Sequence, residues 1–164
     1  MYPTDQDKRF MRQALAAARE ASEKGEVPVG AVLVCDEKAV FTAHNLKECL
    51  RDPTAHAEML ALREAAEKLG RWRLGGTLYA TLEPCVMCAG ALVQARIDRL
   101  FYGAIDPKGG GCGSVLEVVR EPRFNHQIEV IGGFMSEASE RVLQAFFDRL
   151  RGRKDRRITQ PIVS

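Results

Sequence analysis

The sequence predicts an α/β domain in which helices cover both faces of a sheet. Short apolar runs rich in β-branched residues, which predict strands, alternate along the chain with longer segments whose apolar residues recur at helical spacing. The length of 164 residues fits one domain, and a hydrophobic fraction of 46% is ordinary for a globular protein. A chain of this size can form its core without disulfides.

The first part of the chain predicts a helix followed by two strands. Apolar residues at helical spacing predict a helix over residues 5–24, which Gly25 ends. The Val-rich run at 28–35 predicts a buried strand, and residues 39–45 return as a second strand after a turn at 36–38.

The middle of the chain predicts a helix, a strand and another helix. The first of these helices covers residues 54–69 and ends at Gly70. A third strand over residues 77–83 is closed by Pro84, and a helix follows over residues 85–96. Two helix starts therefore fall at residues that carry imidazole and thiol groups.

The last part of the chain predicts two more strands and a long helix. Strands are expected over residues 99–103 and 128–131, with a short helix over residues 114–119 and a final helix over residues 136–151. The glycine-rich segment 109–113 predicts a mobile or ligand-facing loop. The whole sheet would contain five strands.

Positive charge is concentrated near the C-terminus. Residues 149–157 contain six basic residues and one acidic residue, a net charge of +5, whereas the whole chain sums to +2. This segment predicts contact with a polyanion, or it is the solvated end of a helix whose dipole favours cations. We expect a folded domain over residues 1–151 and a basic tail over residues 152–164 that need not be ordered.

The sequence does not have the features of a membrane-spanning or an exported protein. No apolar run approaches the roughly 18 residues of a membrane span, and the N-terminal residues are acidic and lack a signal-peptide core. We therefore expect a cytoplasmic protein with no membrane partner. Its five cysteines form an odd set, and in a reducing compartment they indicate metal binding or catalysis rather than disulfides.

Two short segments carry candidate ligands for a metal ion. Cys85 and Cys88 lie three residues apart at a predicted helix start, so both thiols face one side of its first turn, where the helix dipole favours thiolates. His56 adds an imidazole from another helix start. Two sulfurs and one nitrogen leave the fourth position of a tetrahedral zinc ion open for water, which is typical of a catalytic site.

Glu58 is the candidate base of this site. It follows His56 by two residues and is expected to handle the protons of an activated water rather than to bind the metal. Residues two apart face opposite sides of an ideal helix, so these two side chains converge only if the helix start is irregular.

These segments give the chain a resemblance to the bacterial tRNA-specific adenosine deaminase family, in the cytidine and deoxycytidylate deaminase superfamily. His-x-Glu followed by Pro-Cys-x-x-Cys is the signature of zinc-dependent nucleobase deaminases. The resemblance runs from about residue 5 to about residue 151. The matching stretches are GEVPVGA at 25–31, AHNL at 43–46, DPTAHAE at 52–58, TLEPCVMCAGA at 81–91, YGA at 102–104 and DPK at 106–108.

The resemblance implies a fold, an activity and an assembly. The fold would be the cytidine-deaminase-like three-layer α/β/α arrangement, with a five-stranded mixed sheet between helices and the deaminase domain over residues 1–151. The reaction would be the zinc-dependent hydrolytic deamination of adenosine to inosine at the wobble position of tRNA. The partners would be the tRNA anticodon loop and a second copy of the chain in a homodimer.

The resemblance also assigns roles in the catalytic centre. His56, Cys85 and Cys88 would bind one zinc ion per subunit. Glu58 would take a proton from the water, pass it to the purine ring nitrogen and then serve the leaving amine. Asn45 would hydrogen-bond the base, although an asparagine at a strand end is also typical of a turn.

Other matching residues would contact the substrate around the base. Pro28 and Val29 would wall the pocket, and Asp106 and Lys108 would lie near the flanking nucleotides. Phe147, with the basic tail, would contact the anticodon loop. Taken alone, Asp106 before a proline is also typical of a turn, and Phe147 is equally typical of a core.

Two other functions stay open. A deaminase of a free base or nucleoside, of the guanine or cytidine type, would use the same metal chemistry. A non-enzymatic zinc-stabilised binding module would close the metal site with a fourth protein ligand, for which Cys112 in the glycine-rich loop is the candidate. The number of protein ligands therefore distinguishes an enzyme from a structural site.

Overall fold

Five strands form one sheet in the computed structural model, which describes residues 2–158, with side chains to residue 156. The strands are β1 (Gly30–Cys35), β2 (Ala39–His44), β3 (Thr77–Leu82), β4 (Arg99–Ala104) and β5 (Glu129–Ile131). Their order across the sheet is β2-β1-β3-β4-β5. Because β1 pairs antiparallel with β2 and β3 while the β3–β4 and β4–β5 pairs are parallel, the sheet is mixed as predicted.

Helices cover both faces of this sheet, which confirms the three-layer prediction. The helices are α1 (Asp5–Glu23), α2 (Lys47–Leu50), α3 (Ala57–Leu69), α4 (Val86–Gln94) and α5 (Ser136–Ile158). Helices α1 and α5 pack on one face, and α3 and α4 contribute to the core on the other. The sequence does not predict α2, which is a single helical turn.

The alternation of side chains along the strands produces two separate cores. Tyr79 and Phe101 are buried on the α1 and α5 face, with ring centroids 5.1 Å apart. Leu78 and Leu100, one step back along the same two strands, are buried on the α3 and α4 face. Both faces of β3 and β4 are therefore apolar, which accounts for the nearly continuous apolar runs in their sequences.

Helix α1 is capped at its start and lies very close to the sheet. The hydroxyl of the N-cap residue Thr4 accepts a hydrogen bond from the Asp7 N–H, and the Asp7 carboxylate accepts one from the Thr4 N–H in return. A Cβ atom at Gly30 would lie only 2.0 Å from the carbonyl oxygen of Ala14. The absence of a side chain at Gly30 is thus what allows the helix to pack on β1.

The segment predicted as a short helix over residues 114–119 is not helical, and that prediction is wrong. It forms turns and an isolated β-bridge. The N–H groups of Val115 and Leu116 donate to the carbonyl of Gly110 instead of making helical bonds. Bonds to a residue five and six positions back have therefore replaced the i→i−4 bonds of a helix.

Helix boundaries differ from the predictions at both helix starts near the site and at the C-terminus. Helix α3 begins at Ala57 rather than at residue 54, and α4 begins at Val86 rather than at residue 85. Helix α5 continues to Ile158 rather than ending at residue 151, and residues 159–164 of the predicted tail lie outside the described residues.

None of the described helices combines the length and the apolar character needed to cross a membrane.

Candidate active site and metal centre

The site lies where two helices begin beside the carboxyl end of β3. His56 is the N-cap residue of α3, and Cys85 is the N-cap residue of α4. Both have extended backbone, with ψ of 152° and 175° respectively. Pro84 separates the end of β3 from Cys85, and a proline keeps the residue before it extended and delays the start of the helix.

The three predicted metal ligands lie together. The Sγ atoms of Cys85 and Cys88 lie 3.6 and 3.5 Å from Nδ1 of His56. Zn–N and Zn–S bonds of about 2.0 and 2.3 Å in a tetrahedral site place nitrogen and sulfur ligands about 3.6 Å apart, so these side chains fit a zinc ion. Among the described residues they are the one group of three or more His, Cys, Asp or Glu side chains arranged in this way.

Hydrogen bonds among these three side chains shift their pKa values. The hydrogen bond with Cys88, assisted by His56, lowers the pKa of Cys85 to about 4. The hydrogen bond with Cys85, followed by burial, raises the pKa of Cys88, and the bond with Cys85 also raises the pKa of His56. Cys85 is therefore a thiolate at neutral pH, which is the form of cysteine that binds a metal ion.

Glu58 lies beside this cluster, with only 3% of its surface exposed and its Oε2 3.6 Å from Sγ of Cys88. His56 precedes α3 in an extended conformation, whereas Glu58 belongs to the first turn of the helix, so helical spacing does not separate the two side chains. This is the irregular start that their convergence requires. Burial raises the pKa of Glu58, so its protonated form is more accessible than that of a solvated glutamate, as a group that accepts and then donates a proton requires.

A cleft of about 170 Å³ opens onto the cluster. Its lining includes candidate residues of the metal centre and of the substrate contacts, namely Val29, Asn45, His56, Glu58, Cys85 and Asp106. Residues from the chain before β1, the end of β2, two helix starts and the loop after β4 thus meet at one place.

The Asn45 side chain is held in the wall of this cleft. Its Nδ2 donates a hydrogen bond to the carbonyl of Val27 at 3.2 Å, and its Oδ1 accepts one from the N–H of Lys47 at 3.2 Å. An asparagine amide has two N–H donors and two acceptor lone pairs, and these bonds use one of each. The amide is therefore fixed in orientation, and one N–H donor and one acceptor lone pair remain for a polar ligand.

Three of the expected substrate contacts are not among the residues that line the cleft. Pro28 is fully buried next to the lining residue Val29. Lys108 is exposed in the loop after β4. Phe147 is 42% exposed on α5, where its ring meets the buried ring of Phe146 edge-on at 5.5 Å. The Phe146 ring thus belongs to the core, and the Phe147 ring faces solvent.

Sequence reasoning missed five residues that line the cleft, which are Val27, Lys47, Ala57, Leu82 and Glu83. Glu83 differs from the others because it is a carboxylate with 1% of its surface exposed. Burial acts to raise the pKa of Glu83, but hydrogen bonds from Ser114, Asp106 and Cys112 outweigh it and lower the pKa. The signal in the sequence is an acidic residue at the end of an apolar strand, where a charge needs internal partners.

Cys112 stands apart from the metal-ligand group. It is buried, its Sγ lies 3.8 Å from the carbonyl oxygen of Pro84, and burial raises the pKa of its thiol. The glycine-rich loop around it packs against the turn before α4, since the Gly111 N–H donates to the same carbonyl at 2.8 Å. Within the described residues the candidate metal site therefore has three protein ligands and lacks the fourth that a closed structural site needs.

This arrangement defines a class of protein. Three ligands, an adjacent buried carboxylate and a cleft that reaches them are the parts of a metal-dependent hydrolytic centre. The H-x-E and P-C-x-x-C segments that supply them are the signature of the zinc-dependent nucleobase deaminases.

Comparison with known proteins agrees with this class. Residues 4–104 match the family described as the cytidine and deoxycytidylate deaminase zinc-binding region. The tRNA-specific adenosine deaminase of Bacillus subtilis (strain 168) is 51% identical over 150 residues, which cover 91% of this chain and 93% of that protein. The chain belongs to the cytidine and deoxycytidylate deaminase family, and within it to the group of the tRNA-specific adenosine deaminases.

Solved structures give the same fold. A structure from a study of A-to-I editing by tRNA:A34 deaminases at the wobble position of transfer RNA has a TM-score of 0.79 and 47% identity, covering 83% of this chain and 99% of that one. A guanine deaminase from Bacillus subtilis has a TM-score of 0.56 and 39% identity, covering 60% of this chain and 64% of that one. The similarity to the tRNA deaminase structure is thus both higher and more extensive.

Proposed function

We propose that this chain converts adenosine to inosine at the wobble position of a tRNA by zinc-dependent hydrolysis, with one zinc ion per subunit. The observation that carries the proposal is that His56, Cys85 and Cys88 lie together beside the buried carboxylate of Glu58, in contact with one cleft. The relatives named tRNA-specific adenosine deaminase support the choice of substrate.

The metal site is assigned to His56, Cys85 and Cys88, whose mutual distances suit a tetrahedral ion. When bound, zinc lowers the pKa of water from about 15.7 to about 7, so that hydroxide is available at neutral pH. His56 and Cys85 line the cleft, and Cys88 lies beside Glu58, the carboxylate that must exchange protons with the water.

Glu58 carries the protons of the reaction. It accepts a proton from the attacking water and donates it to a ring nitrogen of the base, so that the oxygen adds to C6 of adenine. It then carries the proton of the new C6 hydroxyl to the exocyclic amine, the bond from C6 to that amine breaks as the C6 carbonyl forms, and ammonia leaves. Its burial serves this role, because burial raises the pKa of the carboxyl group and so makes the proton-carrying form easier to reach.

The base is held by the walls of the same cleft. Asn45 offers an N–H donor and an acceptor lone pair beyond its bonds to Val27 and Lys47, which is the pairing that a purine edge needs. Val29 lines the cleft, and Pro28 is packed beside it as a fixed support. Asp106 lines the side of the cleft formed by the loop after β4.

The remaining contacts concern the RNA around the base. A base stacked in a loop must be splayed out to reach the metal, and positive charge holds the phosphates while this happens. Lys108 and Phe147 are exposed and are assigned to flanking nucleotides and to the anticodon loop, together with the basic end of α5. A homodimer and a cytoplasmic location, where tRNA is found, complete the proposal.

The test is the identity of the product nucleoside. The zinc-loaded protein is incubated with an anticodon stem-loop that has adenosine at the wobble position, with a matched stem-loop that has guanosine there, and with free adenosine, cytidine and guanine. We expect inosine, measured by mass spectrometry of digested nucleosides, from the first RNA alone. Deamination of a free base or nucleoside in place of the stem-loop would overturn the assignment of substrate.

A further inference from the structure

Both carboxylate oxygens of the buried Glu83 accept two hydrogen bonds from a loop that follows it by more than twenty residues. Oε2 accepts from the Asp106 N–H at 3.0 Å and from the Ser114 hydroxyl. Oε1 accepts from the Cys112 N–H at 3.1 Å and from the Ser114 N–H at 3.0 Å. One side chain therefore binds the loop at its start, near its middle and at its end.

The packing of the loop leaves no room for side chains at two of its glycines. A Cβ atom at Gly110 would lie 2.4 Å from the Glu83 carboxylate, and one at Gly111 would lie 3.0 Å from the backbone of Cys85. A β-bridge also joins Gly110 to Cys85. The glycines of this loop thus allow its backbone to pass between the carboxylate and the turn that carries a predicted metal ligand.

We propose that Glu83 is a positioning residue for the reaction, which holds the loop from Asp106 to Ser114 as a rigid wall of the substrate cleft. The inference rests on the proposed function, because Asp106 lines that cleft and its backbone N–H is one of the four donors. Glu83 also lines the cleft, but both of its carboxylate oxygens are bonded to donors of the loop, so it acts on the substrate through the loop.

A carboxylate is needed at this position because all four partners are donors. An ionised carboxylate is an acceptor at both oxygens, whereas a glutamine amide has one acceptor oxygen and one NH₂ group. Glutamine has nearly the same shape, but its NH₂ group would face two donors and leave them unsatisfied in a buried position. Glu83→Gln is therefore a specific test of the hydrogen bonds rather than of the packing.

The experiment compares three variants of the full zinc-loaded chain. Glu83→Gln removes half of the acceptors, and Ser114→Ala removes one donor. Glu117→Gln is the matched control, because it is the same change three residues beyond the loop, at an exposed residue whose carboxylate bonds to Arg120. Zinc content, hydrogen exchange of the Asp106, Cys112 and Ser114 amides, and kcat and KM for the wobble-adenosine stem-loop are measured for each.

We expect Glu83→Gln to keep its zinc, to exchange those three amides at least about ten-fold faster, and to raise KM about ten-fold with kcat within about three-fold. A rise in KM at constant kcat is the mark of a binding surface that contacts ground state and transition state alike. Ser114→Ala should show a smaller change in the same direction, and Glu117→Gln should behave as wild type.

Unchanged amide exchange or an unchanged KM in folded Glu83→Gln would overturn the proposal. If Glu83→Gln does not fold, the same two results in Ser114→Ala would overturn it. If the proposed function itself is wrong, the wild-type protein forms no inosine. Hydrogen exchange then still decides whether Glu83 holds the loop.

Discussion

At the scale of single residues, the chemistry of this protein depends on two helix N-cap positions. His56 and Cys85 stand just before their helices in extended conformation, and this lets each side chain join residues of the following first turn. Glu58 and Cys88 occupy those first turns. Four chemically active groups thus come from two short segments, each made of an extended N-cap residue without a side-chain cap bond and the first helical turn after it.

Replacement of Glu58 tests the role of the buried carboxylate. Glu58→Ala should keep its zinc, since the candidate ligands are His56, Cys85 and Cys88, but kcat should fall by about 100-fold to 10,000-fold because proton transfer is lost. The measurements are inosine formation in single turnovers and zinc content. Glu64→Ala, at a half-exposed residue of the same helix paired with Lys68, is the control and should be unaffected. Normal turnover of Glu58→Ala would remove this residue from the mechanism.

The number of protein ligands is tested by two cysteine variants. Cys88→Ala should weaken zinc binding by more than about 100-fold, because it removes one of the three ligand atoms that lie within 4.8 Å of one another. Cys112→Ala should retain one zinc ion per subunit, since its thiol lies outside that group. Zinc affinity is measured by competition with a chelator. Loss of zinc from Cys112→Ala would instead indicate a closed site with four ligands.

At the scale of secondary-structure elements, a buried carboxylate connects the start of α1 with the sheet. Asp7 accepts hydrogen bonds from Thr4 at the N-cap and from the Tyr79 hydroxyl on β3, the latter at 2.6 Å. Burial acts to raise the pKa of Asp7, but these hydrogen bonds outweigh it and lower the pKa. The helix is therefore fixed to β3 by an ionised group.

This connection predicts a pH-dependent contribution to stability. Because the pKa of Asp7 is lower in the folded than in the unfolded chain, its contribution is present above the unfolded value of about 3.9 and is lost as the pH falls through the folded value. Asp7→Asn should reduce the free energy of unfolding by about 1–3 kcal/mol at pH 7, with a smaller difference from wild type below about pH 4.

Urea denaturation at pH 7, 5 and 3 measures the effect of Asp7→Asn. Asp5→Asn is the matched control, since Asp5 is an exposed acid in the same first turn of α1. A difference between Asp7→Asn and wild type that stays constant over this pH range would contradict the role given to the ionised carboxylate.

At the scale of the whole molecule, charge and chemistry are divided between different parts of the fold. The cleft is formed by the helix starts of α3 and α4 with the loop after β4. The basic residues are concentrated in α5, which packs beside α1 on the opposite face of the sheet. A large polyanion such as an RNA is the kind of substrate that can reach both.

This distribution predicts a steep dependence of RNA binding on salt. Replacing a cation that neutralises one phosphate by a neutral side chain should reduce the slope of log K against log salt by about 0.7 for single-stranded RNA. Replacing Arg153 and Lys154 together by glutamine should therefore reduce it by up to about 1.4, because both are exposed cations of α5. Fluorescence anisotropy with the anticodon stem-loop between about 50 and 200 mM salt measures the slope.

The control for this experiment replaces Arg9 and Arg12, two exposed cations of α1, by glutamine. It removes the same charge from another helix and should leave the slope unchanged. A wild-type affinity that does not vary with salt would argue for a small substrate instead of RNA.

Much of this protein can be worked out from its sequence. The five strands and four of the five helices have the expected order, because the period of apolar residues is a property of neighbours in the chain. The identities and spacings of His56, Glu58, Cys85 and Cys88 predicted a three-ligand site, because ligand chemistry belongs to the residue type.

Other features required the folded chain, because they depend on residues that are far apart in sequence. Helical periodicity suggested a helix over residues 114–119, but bonds to Gly110 and to the Glu83 carboxylate use its N–H groups differently. The sequence likewise left open whether His56 and Glu58 converge, since the conformation of an N-cap depends on what packs around it. Long-range hydrogen bonds leave no periodic trace in a sequence, so only the packed structure shows that a buried carboxylate holds the glycine-rich loop in place.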